Sequence, residues 1–426
     1  MKLLSPWRGL GYLLLPASLW LGATAQAEQI AVSCGAVGME LTLCKASAQA
    51  WASKTGNEVR VVATPNSSTE RLALYQQWLA AGARDVDVYQ IDVIWPGLLA
   101  NHFIDLRPYS DGAEKAHFKS IIDNNTVDGK LVAMPLYVDV GLLYYRKDLL
   151  ERHDRPIPTT WAELTETASA IQAAERAAGN DKMWGYVFQG KTYEGLTCNA
   201  LEWVASYGGG TFVNEQGDVT VPNPQALRAL QTASGWVGTI APKGVLNYAE
   251  EQSRGVFQAG QAVFMRNWPY AWALLNSDDS PVRGKVGVVA LPHGGAGHES
   301  RGALGGWQLA VSRYSRHPEL AADLVMFMTG AEQQKRRAIE GGYNPTRPAL
   351  YHDADILQAQ PFIGRLEDSV STAVARPSRV TKGQYNRASV AVANAFHAAL
   401  AGRSTPDEAL KTLGAELKRM SHRGWR

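Results

Sequence analysis

The sequence predicts an α/β protein made of two lobes, and three observations support this prediction. The 426 residues are enough for two or three domains and a large core. Segments with strand and helix periodicity alternate through the first hundred residues, and the alternation begins again after Pro135. Neither an internal repeat nor a low-complexity linker separates the two stretches, which favours two lobes joined by strands over independent domains.

The first lobe begins with a βαβαβ pattern. Strands are predicted over residues 30–33, 59–63 and 86–91, and helices over residues 39–55 and 69–81. Such a pattern predicts a parallel sheet with helices on both faces. Ligands of such sheets bind beyond the carboxyl ends of the strands, so the loops at 34–40, 64–71 and 92–97 are candidates for a binding site.

The second lobe shows the same alternation of elements. Strands are predicted over residues 137–145, 184–189 and 286–291, and helices over residues 161–178 and 194–207. The run at 137–145 is rich in Val, Leu and Tyr, and we therefore predict one continuous strand there.

Residues 1–27 have the pattern of a cleavable secretory signal. A positive start precedes an apolar stretch over residues 10–21, and Ala25-Gln26-Ala27 supplies the cleavage pattern. The apolar stretch is too short to cross a bilayer comfortably, and no cysteine follows it to carry a lipid. We therefore expect cleavage before Glu28 and a soluble, exported protein.

Charge and composition argue against several classes of function. The chain has 42 Lys and Arg residues against 40 Asp and Glu, and two of the basic residues lie in the signal segment. The exported protein is therefore neutral overall, which argues against a nucleic acid or an anionic membrane as its partner. The nine histidines are scattered and form no metal-binding or catalytic motif, so neither a metal nor a cofactor is expected.

The three cysteines are Cys34, Cys44 and Cys198. Export permits disulfides, and an odd number leaves one cysteine unpaired. We expect Cys34 and Cys44, which are close in sequence, to form a bridge that closes a small loop; three buried thiols are the alternative.

Residues 185–192 match the nucleotide P-loop pattern, in which Lys191 would approach the phosphates. A working P-loop is a flexible loop whose backbone N–H groups surround the phosphates. Here Tyr186, Val187 and Phe188 are strand formers, so the supposed loop belongs to a predicted strand. We therefore predict that the match is accidental and that Lys191 is dispensable for function.

Polar and aromatic residues gather at the ends of the predicted elements. The polar ones are Glu40, Asn66, Arg71, Asp92, Asp139 and Arg376, and the aromatic ones are Trp268 and Trp307. Each alone has a structural explanation, as a helix-terminal charge, a turn residue or a core aromatic. Together they match the chemistry of carbohydrate binding, because carboxylates and Arg form charge-assisted hydrogen bonds with hydroxyl groups and Trp faces cover the C–H side of a pyranose.

Several motifs resemble those of the extracellular solute-binding proteins of bacterial ABC sugar importers, in particular the branch that takes trehalose, maltose and related disaccharides. The motifs are Val32-Ser-Cys-Gly-Ala-Val-Gly, Asp92-Val-Ile-Trp-Pro-Gly, the segments 135–149 and 257–268, Gly305-Gly-Trp and Pro345-Thr-Arg. The resemblance covers nearly the whole exported chain. The segments 137–149 and 257–268 are the most specific because they are long and occur in the right order.

The resemblance implies a two-lobed periplasmic-binding-protein fold of type II, like that of maltose-binding protein, with a ligand cleft between the lobes. Lobe 1 would comprise residues 28–137 plus 292–345, and lobe 2 residues 138–291 plus 346–426. The family's ligand contacts fall on ten residues of this chain, with Ser67 or Ser68 as an alternative to the second: Glu40, Asn66, Arg71, Asp92, Tyr137, Asp139, Trp268, Gly306, Trp307 and Arg376.

The resemblance further implies a monomeric periplasmic protein that closes its lobes around a disaccharide, trehalose before maltose, and delivers it to permease subunits in the inner membrane. Two alternatives stay open. A secreted glycosidase would use a similar set of carboxylates, and a related binding protein would take another oligosaccharide. The acidic residues Glu40, Asp92 and Asp139 argue against an anionic ligand, because like charges repel.

Overall fold

The computed structural model describes residues 1–3, 27–422 and 424–425, so the predicted signal at 1–27 lies almost entirely outside the described residues. Over these residues the strands are β1 (Gln29–Cys34), β2 (Glu58–Ala63), β3 (Val88–Asp92), β4 (Thr126–Val127), β5 (Lys130–Leu131), β6 (Met134–Val140), β7 (Leu142–Arg146), β8 (Trp184–Val187), β9 (Ala262–Asn267), β10 (Val286–Ala290) and β11 (Leu304–Val311). The helices are α1 (Glu40–Thr55), α2 (Ser68–Ala80), α3 (Pro96–Leu99), α4 (Arg107–Ser110), α5 (Lys119–Asn124), α6 (Lys147–Arg152), α7 (Trp161–Ala177), α8 (Glu194–Ser206), α9 (Pro224–Trp236), α10 (Glu250–Gln258), α11 (Ala271–Leu275), α12 (Pro318–Met328), α13 (Ala331–Gly341), α14 (Ala354–Ala359), α15 (Glu367–Ser371), α16 (Ser378–Thr381), α17 (Tyr385–Leu400) and α18 (Pro406–Ser421).

The predicted βαβαβ segment forms one half of a five-stranded sheet, whose strand order is β2-β1-β3-β11-β6. Strand β1 runs parallel to β2 and β3, as the pattern predicts, whereas β11 is antiparallel to both of its neighbours, β3 and β6. The carboxyl ends of the parallel strands therefore meet at one edge of the sheet. There the loops after Cys34, Ala63 and Asp92 come together.

A second sheet has the strand order β10-β7-β9-β8. In this sheet β8 is parallel to β9, and β7 is antiparallel to β9 and β10. The prediction of one continuous strand over 137–145 is wrong, because the chain leaves the first sheet after β6 and enters the second with β7. The predicted strand is interrupted at Gly141, between β6 and β7. A Cβ added there would lie 1.9 Å from a Glu202 carboxylate oxygen.

The passage between the two sheets is made by short stretches that lie side by side. We call residues 140–142 and 302–304 the crossing segments. The backbone N–H of Gly141 donates to the carbonyl of Ala303 at 3.3 Å, and Val374 bonds to both Gly302 and Leu304 at 2.8 and 2.9 Å. The lobe ranges named above place the boundary near these segments, and their limits stay a prediction.

The five fully buried tryptophans of the described residues all pack in the cores of the two lobes. Trp51 and Trp95 pack around the first sheet, while Trp161, Trp203 and Trp236 pack around the second together with the C-terminal helices α17 and α18. None of the helices in the described part of the chain combines the length and apolarity that a bilayer crossing requires.

The predicted disulfide is present. Cys34, the last residue of β1, is bonded to Cys44 in α1, with 6.5 Å between the two Cα atoms. The bridge ties the end of the strand to the helix that begins at Glu40. Cys198 is buried in α8, apart from the bridge.

Candidate functional site

A cleft between the two sheets collects the predicted site residues. Nine of the ten predicted residues line it, and Arg71 lies behind them. Side chains that sequence reasoning did not select complete the wall, and the full lining is Val37, Glu40, Asn66, Ser68, Asp92, Tyr137, Asp139, Glu194, Gly195, Cys198, Glu250, Trp268, Tyr270, Gly305, Gly306, Trp307, Tyr343 and Arg376. Their role as ligand contacts stays a prediction.

Glu40 is the first residue of α1, where the helix dipole favours a negative charge. Its carboxylate is buried and accepts hydrogen bonds from the Val37 backbone N–H at 3.0 Å and from Gln90 Nε2 at 3.1 Å. The Tyr137 hydroxyl also donates to it. Glu40 therefore organises the loop between β1 and α1 in addition to lining the cleft.

Arg71 is fully buried in α2 and supports Trp307 from behind. Its Nε and Nη2 donate to the Pro65 carbonyl at 3.1 and 3.0 Å, and its guanidinium carbon lies 4.0 Å from the centre of the Trp307 ring. Such stacking of a cation on an aromatic face is favourable. The guanidinium therefore covers one face of the ring, and Trp307 also lines the cleft.

Arg376 joins the two lobes at one wall of the cleft. It is buried, and it donates at 2.9 Å both to Asp92 at the end of β3 and to Glu194 at the start of α8. Thr69 Oγ1 accepts from the Glu194 backbone N–H at 3.2 Å, which adds a second link across the same wall. Burial raises the pKa of Glu194, and Arg376 opposes that rise.

Asp139 differs from the other acidic residues of the cleft. It is buried, and among the described residues its Oδ1 has no hydrogen-bond partner. Burial raises its pKa to about 8, and the neighbouring carboxylates of Glu40 and Asp92 contribute to the rise. A buried carboxyl group that lines a cleft and has an oxygen without a partner is suited to form a hydrogen bond with a hydroxyl group of a ligand.

Trp268 and Trp307 line the cleft from the two sheets, and the two glycines before Trp307 in β11 allow close packing there. A Cβ at Gly305 would lie 3.1 Å from Trp268 Cζ3 and 3.2 Å from the Cβ of Asp139. Gly306 has a φ of +126°, and a Cβ there would lie 2.5 Å from a backbone oxygen. Position 306 therefore requires glycine, whereas a Cβ at Gly305 would make Trp268 or Asp139 move by a few tenths of an ångström.

Sequence reasoning missed Glu194 and Glu250, although one signal could have found them. Each is the first residue of its helix, α8 and α10, as Glu40 is the first residue of α1. In the structure Glu250 accepts from Tyr193 at 2.7 Å and from Trp268 Nε1 at 3.3 Å. An acidic residue that opens a helix is a common stabilising feature, so the pattern alone did not distinguish a cleft residue from a capping charge.

The segment that matches a P-loop is partly a strand and not a free loop. Tyr186 and Val187 lie in β8, and an added Cβ at Gly190 would be 2.5 Å from the Val245 carbonyl oxygen. The glycine is thus packed against the backbone of another segment, and the backbone N–H of Lys191 is already bonded to the Tyr248 carbonyl at 3.1 Å. Lys191 points to the other lobe, with its Nζ 3.7 Å from Glu70.

Comparisons with known proteins identify the family. A model of the bacterial extracellular solute-binding proteins matches residues 43–335. A Deinococcus radiodurans protein named as a probable ABC transporter-binding protein is 53% identical over 403 residues, which cover 94% of this chain and 96% of that one. The T. maritima protein MalE3, solved with bound maltose, is 40% identical, with a TM-score of 0.88 over 92% of this chain and 100% of that one.

A more distant structure shares the fold. The GacH receptor of Streptomyces glaucescens is 21% identical and gives a TM-score of 0.80 over 92% of this chain and 98% of that one. With its two sheets and the cleft between them, the chain has the two-lobed α/β fold of these proteins, and it belongs to the bacterial extracellular solute-binding proteins.

Proposed function

We propose that the protein is the substrate-binding component of an ABC transporter and that it captures an α-linked glucose disaccharide. The observation that carries the proposal is the pairing of two tryptophans, Trp268 and Trp307, across a cleft that also holds Asp92 and Asp139. Ring faces cover the apolar side of a pyranose, and carboxylates accept hydrogen bonds from its hydroxyl groups. The arrangement supports a neutral polyhydroxy ligand because the acidic lining disfavours an anion.

Trehalose is the preferred candidate and maltose the second. The similar T. maritima protein was solved with maltose, and the GacH receptor with acarbose, so glucose-type saccharides occur among structures of this fold. The preference for trehalose rests on the motif resemblance described for the sequence. Another neutral oligosaccharide is the alternative within the same function.

The proposed cycle follows from the position of the cleft. A sugar that touches both lobes contacts all of its partners only when the lobes are closed, so its binding shifts the population towards the closed form. The closed protein, a monomer in the periplasm, then delivers the sugar to the permease subunits in the inner membrane. No covalent bond is made or broken by this chain.

The test is calorimetric titration of the protein from Glu28 onwards with trehalose, maltose, sucrose and glucose. We expect a disaccharide to bind with a Kd of about 1 μM, equivalent to roughly 8 kcal/mol. Binding of every disaccharide weaker than millimolar would contradict the proposal. The same experiment checks whether the sugar is recovered intact after incubation. This control is needed because the raised pKa of Asp139 also suits a general acid. Released glucose would favour the glycosidase alternative.

A further inference from the structure

An ion pair without solvent exposure lies beneath the crossing segments. Arg266 in β9 and Glu202 in α8 are both fully buried. Arg266 Nε donates to Glu202 Oε2 at 2.9 Å, and Arg266 Nη2 donates to Glu202 Oε1. Replacing a buried pair of this kind by apolar residues is often neutral or even stabilising, so stability alone does not explain its presence.

The pair touches both crossing segments. Glu202 Oε1 accepts a hydrogen bond from the Ala303 backbone N–H at 3.1 Å. On the other segment, a Cβ at Gly141 would lie 1.9 Å from the same oxygen and 2.7 Å from Arg266 Nη2, so the glycine backbone lies directly against the pair. A shift of the crossing segments relative to α8 would therefore change the contacts of the Glu202 carboxylate.

The same pair also touches the cleft. The guanidinium carbon of Arg266 lies 3.8 Å from the centre of the Trp268 ring. Its plane is fixed by Glu202 and by Gln189, whose Oε1 accepts from Nη1 at 3.1 Å and whose Nε2 donates to the Arg266 carbonyl at 3.0 Å. A guanidinium held in this way presents a rigid flat surface to one face of the ring. Trp268 itself lines the cleft.

We propose that Glu202 and Arg266 form a positioning unit that holds the ring of Trp268 in the orientation that binds sugar and ties that orientation to the crossing segments. The proposal rests on the proposed function, in which Trp268 covers a sugar ring. Neither residue lines the cleft. They act through Trp268, and the sugar meets a ring whose orientation is already set.

The test is a double-mutant cycle on the full exported chain, with affinity for the tightest disaccharide as the readout. Arg266→Lys keeps the positive charge beside Glu202 but removes the planar surface and one arm of the fork. We expect it to weaken binding about tenfold when Trp268 is present. In the Trp268→Ala background the same change should alter affinity less than about twofold, because the group it positions is gone.

A substitute variant and a control variant complete the test. Glu202→Gln keeps the shape of the side chain and an acceptor for Ala303, so it enters the same cycle if Arg266→Lys does not fold, with the same expectation. Arg146→Lys is the control, since Arg146, buried at the end of β7, forms a two-bond pair with the partly exposed Asp148 of α6, outside the cleft. It should leave affinity unchanged. An equal loss with and without Trp268 would overturn the proposal.

A second readout needs no sugar. Fluorine NMR of protein labelled with 5-fluorotryptophan gives one resonance per tryptophan, and Trp268→Phe and Trp307→Phe assign the two that matter. Arg266→Lys should shift or broaden the resonance of Trp268 and leave that of Trp307 in place. If the Trp268 resonance does not change, the proposal is wrong, whether or not the unmodified protein binds a disaccharide; absence of sugar binding alone contradicts only the proposed function.

Discussion

The two lobes present their cleft tryptophans in similar ways, and the comparison separates ligand contacts from the groups that support them. In the first sheet Trp307 lies on Arg71, whose Nη2 is 3.8 Å from Glu40 Oε2. In the second lobe Trp268 lies on Arg266, which is paired with Glu202. We call these sets of three residues the first and second stacks. Both arginines are fully buried.

The stacks differ in how far they are closed to a ligand. In the second stack the carboxylate is fully buried away from the cleft and bonds Arg266 with both oxygens. In the first stack Glu40 lines the cleft, and Arg71 Nη1 has no hydrogen-bond partner among the residues that the structure describes. The first stack therefore brings its carboxylate to the cleft, whereas the second stack, by our proposal, only sets the position of its ring.

The largest difference between the stacks should appear in stability. Glu202→Ala leaves the Arg266 guanidinium buried without its counter-ion, so we expect the free energy of unfolding to fall by about 3–5 kcal/mol. Glu40→Ala should cost less, about 1–3 kcal/mol, because Arg71 keeps both hydrogen bonds to the Pro65 carbonyl and water from the cleft can reach the site. Urea unfolding followed by circular dichroism measures both values. Equal losses would show that the two stacks are equivalent.

The next effect is on affinity. Trp307→Ala removes a ring face from the cleft, and we expect sugar binding to weaken at least 30-fold, about 2 kcal/mol. Asp92→Ala and Asp139→Ala should each weaken binding about 10- to 100-fold, because each removes hydrogen bonds to hydroxyl groups of the sugar. Trp184→Ala is the control, since Trp184 lies on Arg176 in the same manner but outside the cleft. A Trp307→Ala protein that unfolds or binds normally would assign this ring to the core.

Asp139 lies between the stacks and should make stability depend on pH. Burial raises its pKa to about 8, above the usual range near 4, so the folded protein binds a proton that the unfolded chain has already lost. Its contribution to stability is therefore full below pH 4 and is lost as the pH rises towards 8, at up to about 1.4 kcal/mol per pH unit. Asp139→Asn should flatten that decline. Thermal unfolding of both proteins between pH 5 and 8 tests this, and parallel curves would contradict it.

The sequence predicted the elements of the first lobe better than the change from one sheet to the other. The alternation of strands and helices predicted β1 to β3 with α1 and α2, because each element has its own apolar period and end signals. The run at 137–145 was misjudged because Val, Leu and Tyr continue on both sides of Gly141. The requirement for glycine there comes from the Glu202 carboxylate, which is distant in sequence.

The same reason explains why the first stack was predicted more fully than the second. Glu40 opens α1, Arg71 lies in the first turn of α2, and Trp307 follows a Gly-Gly pair, so each has a local signal in the sequence. Glu202 lies inside α8, a helix that is buried almost throughout its length, and Arg266 lies inside a strand. A charge at such a position shows its purpose only when its partner is known, because the pairing is made by the tertiary fold.

The smallest effect concerns a third ion pair, which is exposed where the stacks are buried. Lys191 Nζ lies 3.7 Å from Glu70 Oε1, and 46% and 61% of the two side chains are exposed. Such pairs contribute about 0–1 kcal/mol, since water and salt screen them. Although this contact spans the lobes, Lys191→Ala should therefore change sugar affinity less than about fivefold. Glu70→Ala should match it, and the double variant should add nothing beyond either single change. Titration with the disaccharide at low and high salt measures the effect. A larger loss of affinity, or binding of ATP with magnesium, would mean that the P-loop match is more than accidental.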